Sequence, residues 1–145
     1  MPSVRKTVLL PYSRERMFAL VAGVEDYPRF LPWCGGASVQ SQSDGGVLAT
    51  VRIVYRGISQ TFSTINRNTE PDSITMKLAE GPFRSLEGGW RFVALRDDAC
   101  RVEFVLDYQF AGGLLGKLLA PVFDHIAGTF VDAFVRRAEG LYGES

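Results

Sequence analysis

From Val47 to Phe110 apolar side chains recur at every second residue. From Leu114 to Tyr142 they recur at helical spacing, and the change falls on Ala111-Gly112-Gly113. That order constrains the fold more than any other feature. Val47, Ala49, Val51, Ile53 and Tyr55 alternate along one strand, with Asp44-Gly45-Gly46 before it as a hairpin turn. Arg56-Gly57 turns the chain into Ile58 to Asn68, where Ile58, Gln60 and Phe62 share a face, and Glu70-Pro71-Asp72 closes that strand. Ile74, Met76 and Leu78 form the next face, then Leu86, Trp90 and Phe92, then Val102, Phe104, Leu106, Tyr108 and Phe110 after the Arg96-Asp97-Asp98 turn. The alternate positions, such as Arg101, Glu103, Asp107 and Gln109, are polar, so one side of an antiparallel sheet faces water and the other a core. The helix that follows carries Leu115, Leu119, Val122, Ile126, Phe130 and Ala133 as a stripe, with Pro121 expected to kink it about two turns in. A sheet with one long apolar helix buries both by curling around it, which places the chain in the α+β class.

The chain before this run adds a strand, Ser3 to Leu10, closed by Pro11. Ser13 then caps a helix with Met17, Leu20, Val21 and Val24 on one face, and a further strand begins near Ala37. Between helix and strand lies EDYPRFLPWC, Glu25 to Cys34, with three aromatics and two prolines in ten residues. Pro28 and Pro32 remove two backbone donors and disfavour helix just before them, which predicts one short turn followed by an extended kink. Its rings must be buried, either as a plug at one end of the core or as a gate to it.

At 145 residues the chain fits one domain, residues 1–145, large enough for a full core. Sixteen basic and sixteen acidic residues cancel, so no global field draws it to DNA. The eight basic and four acidic residues up to Arg67, against eight and twelve after it, amount to a modest dipole. The N-terminus lacks the apolar core of a signal peptide, and no run resembles a membrane span, so the expected location is cytoplasmic. Cys34 and Cys100 lie far apart, and with a single histidine they make no zinc site of the usual kind; both read as buried small hydrophobes.

Catalytic motifs fail on inspection. AGGLLGKL, Ala111 to Leu118, imitates a P-loop, yet Ala111 stands where the first glycine belongs and Leu118 where a hydroxyl should meet magnesium. There is no GxSxG elbow, and His125, the only imidazole, sits off the helix's apolar stripe. Asp132 and Arg136, four apart, read as a surface ion pair. What remains is apolar. Trp33, Tyr55, Phe62, Met76 and Phe83 fall on or beside the predicted concave face, as do Trp90, Phe92, Phe104 and Tyr108. Leu119, Val122, Phe123, Ile126 and Phe130 face them from the helix, while Tyr27 and Phe30 stand with Trp33 at the mouth. A curved sheet gripping one helix leaves a tapered space that such rings can line as an apolar pocket.

Four long segments carry a resemblance: VEDYPRFLPWC at Val24, LAEGPFRSLEGGWRF at Leu78, CRVEFVLDYQF at Cys100 and LLGKLLAPVFDHIAGTFVDAFVRRA at Leu114. In this order they resemble the bacterial RatA-like and mitochondrial coenzyme Q-binding proteins of the polyketide cyclase/START-like (Bet v 1-like) superfamily, almost end to end. The resemblance implies a helix-grip fold, a curved sheet of about seven strands around the C-terminal helix with a hydrophobic cavity between them. It further implies binding of ubiquinone or a related polyprenyl quinone in support of respiratory electron transfer, with no cofactor required. A second role, attached to some bacterial members, is binding the large ribosomal subunit and blocking subunit joining. A third, polyketide cyclase or dehydratase activity, needs polar groups in the pocket, and the predicted inner face offers only Tyr55, Gln60 and Tyr108. Arg5, Lys6, Arg14 and Arg16 would supply phosphate contacts on a ribosome. Leu114 to Phe123 would supply transient contact with the inner face of a membrane.

Overall fold

The structure, a computed structural model, describes residues 3–143; Met1, Pro2, Glu144 and Ser145 of the expected domain lie outside the described residues. In chain order the elements are β1 (Ser3–Leu10), α1 (Arg14–Ala22), a 3₁₀ turn (Val24–Arg29), β2 (Cys34–Ser41), β3 (Val47–Tyr55), β4 (Ile58–Thr69), β5 (Ser73–Glu80), β6 (Phe83–Arg96), β7 (Ala99–Phe110) and α2 (Leu114–Tyr142). The seven strands form one antiparallel sheet in the order β1-β7-β6-β5-β4-β3-β2. β1 therefore pairs with the last strand, Leu10 opposite Cys100, and the chain between β1 and β2 must travel from one edge of the sheet to the other.

Local chemistry fixes the turns. Arg56 and Gly57 adopt positive φ of 48° and 80°, the left-handed pair that a tight β3–β4 hairpin requires. Gly45 has φ 90°, and the Asp44 carboxylate accepts from the Gly46 amide at 3.0 Å and from Arg67 at 2.7 Å. Ser13 accepts from the Arg16 amide at 3.2 Å, capping α1, whose Met17, Phe18, Leu20 and Val21 are buried. β2 begins at Cys34, three residues earlier than its alternation suggests, because Gly35 and Gly36 hide the period at a bulge.

α2 lies along the sheet with Leu119, Phe123, Ile126, Val131 and Phe134 buried. Fully burying each of these large side chains contributes roughly 1.5–3 kcal/mol. The helix runs without a break through Pro121, which is on its exposed side. Leu115, expected in the buried stripe, is 46% exposed together with Leu114 and Leu118; the first turn has run past the end of the sheet's inner face, and Gly116 packs there instead. By length and composition α2 is apolar enough to cross a membrane, contrary to the reading that no run approaches a span; its seat against the sheet accounts for part of the apolarity, while Leu114, Leu115 and Leu118 are exposed. The expected Asp132–Arg136 ion pair is not among those formed by the described residues.

β6 carries Gly88-Gly89 at its centre. A Cβ on Gly88 would stand 2.0 Å from the Val105 carbonyl oxygen, and one on Gly89 2.4 Å from that of Ile74. The backbones on both sides close in where side chains are missing, which makes room for Trp90 and Leu86 to be driven under α2. Gly88→Ala should therefore lower stability by about 3 kcal/mol, the upper part of the range for overpacking a rigid site, as read by urea unfolding.

Candidate functional site

The EDYPRFLPWC segment closes one end of the grip. Its 3₁₀ turn is held by Leu31 N donating to the Tyr27 carbonyl at 2.9 Å, and its exit by Val54 N donating to the Trp33 carbonyl at 2.8 Å. Tyr27, Leu31 and Trp33 are buried, and the Tyr27 hydroxyl donates to the Val21 carbonyl at 2.5 Å. Burial, followed by the nearby Cys34, holds that phenol's pKa far above the ordinary tyrosine value. The predicted short turn is present, with Pro28 inside it; in place of the expected extended kink, Pro32 and Trp33 form a second turn, closed by Cys34 N donating to the Leu31 carbonyl at 3.0 Å.

Behind this closure lies a cavity of about 80 Å³. Tyr27, Trp33 and Val24 form its end wall; Trp90, Phe104 and Leu106 form one flank. Val51, Ile53, Phe62 and Met76 form the other, and Phe123, Ile126 and Phe130 close it from α2. The rings interlock: Trp90 and Phe104 centroids are 4.5 Å apart, Phe104 and Phe130 5.6 Å, and Trp33 and Phe130 6.0 Å. Nine of the sixteen expected site residues thus meet around one space.

The other seven lie elsewhere. Phe30 packs edge-on against Phe134 with the Arg137 guanidinium 5.2 Å above its ring. Phe92 is buried against Phe18 of α1. Phe83, Leu119 and Val122 line a separate void of about 10 Å³ near the start of α2. Tyr55, expected on the concave face, stacks on His125 at 5.8 Å, since the end of β3 extends to the rim of the sheet. Tyr108 is buried but donates to Asp124 at 2.5 Å, so its hydroxyl is spent on α2 and not offered to the cavity.

Nine of the eighteen lining residues were not among the expected site residues; seven are aliphatic, and two are polar, Thr64 and Asn66, 6% and 8% exposed. The signal was available: the alternation Ile58, Gln60, Phe62 continues to Thr64 and Asn66, but polarity conceals it. Among the described residues the lining holds no carboxylate, imidazole, amine or thiol. Cys34 and Cys100 lie outside it, both buried, and burial raises both thiol pKa values. Such a wall suits binding better than proton transfer.

Two measurements check this geometry. Phe92→Ala should lose about 3–5 kcal/mol in urea unfolding, the full value for a close-packed ring, and Phe62→Ala on the cavity wall should lose less, because its ring already lacks neighbours on one side. Burial, then the bond to Asp124, then its charge raise the Tyr108 pKa well above its ordinary value near 10. Above that value the unfolded phenol ionises while the folded one does not, so Tyr108 contributes stability that is present below about pH 10 and lost as pH rises. Tyr108→Phe should flatten that alkaline loss when unfolding is followed from about pH 8 to about pH 11.

Residues 10–135 match the family described as polyketide cyclase / dehydrase and lipid transport. The ribosome association toxin RatA of Escherichia coli K12 is 43% identical over 142 residues, covering 98% of this chain and 90% of its own. The mitochondrial coenzyme Q-binding protein COQ10 homolog B of Xenopus laevis is 27% identical, covering 93% of this chain and 57% of its own. An 18 kDa protein of Caulobacter crescentus, solved in solution, superposes with a TM-score of 0.75 at 36% identity over 99% of this chain and 100% of its own. With the seven-stranded sheet curled on one long helix, these likenesses show that the chain belongs to the polyketide cyclase / dehydrase and lipid transport family of the START-like superfamily, together with the RatA proteins.

Proposed function

We propose that the protein binds a lipophilic small molecule between its sheet and α2, the ligand being ubiquinone or a related polyprenyl quinone carried in support of respiratory electron transfer. The observation that carries this reading is the apolar cavity with aromatic walls, of a kind that supports ligand binding in preference to chemistry. The likeness to a coenzyme Q-binding protein supports the choice of quinone.

The cavity of about 80 Å³ is smaller than the ~300–1,000 Å³ of typical ligand pockets, so a quinone ring enters as wall side chains turn aside. Phe62, Met76 and Phe130 are the half-buried members of the wall and have room to do so. A tail left outside would lie along the mouth or in a bilayer. Each methylene gains about 0.8 kcal/mol on leaving water, and nearly the same in lipid, which keeps exchange reversible. Leu114, Leu115 and Leu118, exposed at the start of α2, provide an apolar face for membrane contact during exchange.

A second reading, association with the large ribosomal subunit, is favoured by the RatA relative that matches nearly the whole chain at 43% identity. Its phosphate contacts would come from the outer surface. There Arg5 is exposed, whereas Arg14 is engaged with Asp72 at 2.7 Å and the Arg16 guanidinium lies 5.1 Å from the centre of the Tyr142 ring. Native mass spectrometry with lipid extraction, on protein purified gently from its own host, separates the two. A stoichiometric polyprenyl quinone is the expected result; empty protein that co-sediments with ribosomal subunits and is released by salt would replace it with the second reading.

A further inference from the structure

On β4 the inward positions run Phe62, Thr64, Asn66, so an amide and a hydroxyl stand side by side in an otherwise aromatic and aliphatic wall. Thr64 faces Ala49 across β3 and Asn66 faces Met76 across β5. The small Ala49 leaves space above the pair. The Thr64 hydroxyl donates to Asn66 Oδ1 at 2.7 Å, which fixes the plane of the amide and occupies its oxygen. Asn66 Nδ2 has no partner among the described hydrogen bonds; the residue, 8% exposed, borders the cavity and also a smaller void of about 20 Å³ beside α1, and the one fully buried unpartnered side-chain atom among the described residues is Arg137 Nε. The remaining polar atoms of the wall are the Tyr27 hydroxyl, already donating to Val21, and the two indole N–H groups.

A pair with only a structural role would satisfy itself. This one gives the oxygen a donor and leaves the amide nitrogen without a protein partner at the cavity wall, where a valine or leucine would fill the strand position with no polar group to satisfy. Donors held in that way take an acceptor. Resting on the carrier reading above, we propose that Thr64 and Asn66 form a hydrogen-bonding subsite that selects lipophilic ligands bearing a carbonyl or ether oxygen at the end that enters first. Asn66 donates to that oxygen. Thr64 acts through Asn66 by holding its amide. A water bonded to Nδ2 would be displaced without loss by a ligand oxygen that reproduces its bond, and only with loss by a hydrocarbon.

The test compares two probes of nearly equal shape, a hexyl-substituted 1,4-benzoquinone and hexylbenzene, by calorimetric titration of the intact protein. Both tryptophans line the cavity, so their fluorescence reports occupancy independently. Wild type is expected to prefer the quinone. Asn66→Leu should weaken quinone binding about tenfold and leave hexylbenzene within about twofold, the value of one hydrogen bond to a neutral acceptor. Thr64→Val should weaken the quinone less, and Thr64→Ser should restore it. Asn66→Leu should also raise the unfolding temperature, where a purely structural asparagine would lower it. Should Asn66→Leu fail to fold, the Thr64 variants carry the comparison. Equal weakening of both probes, or an unchanged quinone affinity, would overturn the subsite. Wild type binding both probes equally would remove the subsite and keep the carrier reading; wild type binding neither would remove both.

Discussion

The clasp between α2 and the concave face of the sheet is the interaction on which the rest depends. Phe123 meets Tyr108 and Phe83 at 4.8 and 4.9 Å, and farther along Phe130 and Phe134 meet Phe104 and Trp90 at 5.6 and 5.2 Å. These ring contacts are edge-on or tilted, the arrangements that aromatic quadrupoles favour. The rings come from β6, β7 and α2, three elements in succession along the chain, and the sheet must curl before any of them is buried. The glycines at 88 and 89 permit that curl, and α1 with the 3₁₀ turn crosses from one sheet edge toward the other to cover the open end. Large rigid rings on a curved surface do not tile it completely. The cavity is what they leave.

Much of this was legible in the residues because the signals are local. Ser13, Asp44-Gly45-Gly46, Arg56-Gly57 and Ala111-Gly112-Gly113 each mark an element end for a stated backbone reason, and the structure ends its elements there. Which strand neighbours which was not local: β1 lies at one edge because it pairs with β7, a partner more than a hundred residues away at Ser3 opposite Asp107, and nothing in its own composition says so. The site was legible as a set of rings but not as a shape. Phe92 and Phe104 both alternate inward and both are 1% exposed, yet one packs under α1 and the other borders the cavity. Periodicity gives the face of a strand; position across the sheet decides what that face meets. Thr64 and Asn66 were missed for the opposite reason, since they follow the period but break the polarity that made the period visible.

The two functional readings use different parts of the molecule. A lipophilic ligand needs the interior, where side chains can yield without disturbing the hydrogen-bonded sheet. A ribosome needs the exterior, where several arginines already hold intramolecular partners such as Asp72, Asp44 and Glu103. Nothing in the geometry sets one against the other, and a cavity whose occupancy moves Phe130 on α2 would also alter the surface of that helix.

The central claim is that a small lipophilic oxygen-bearing ring enters between the sheet and α2. Methyl-detected NMR during titration with a short-chain benzoquinone tests it most directly, because Val51, Ile53, Met76 and Ile126 place methyl groups in the cavity wall and Leu114, Leu115 and Leu118 place theirs on the exposed first turns of α2. Saturable shifts concentrated on the first set are the predicted result. Shifts confined to the exposed leucines, with the wall methyls unmoved at saturation, would contradict the account.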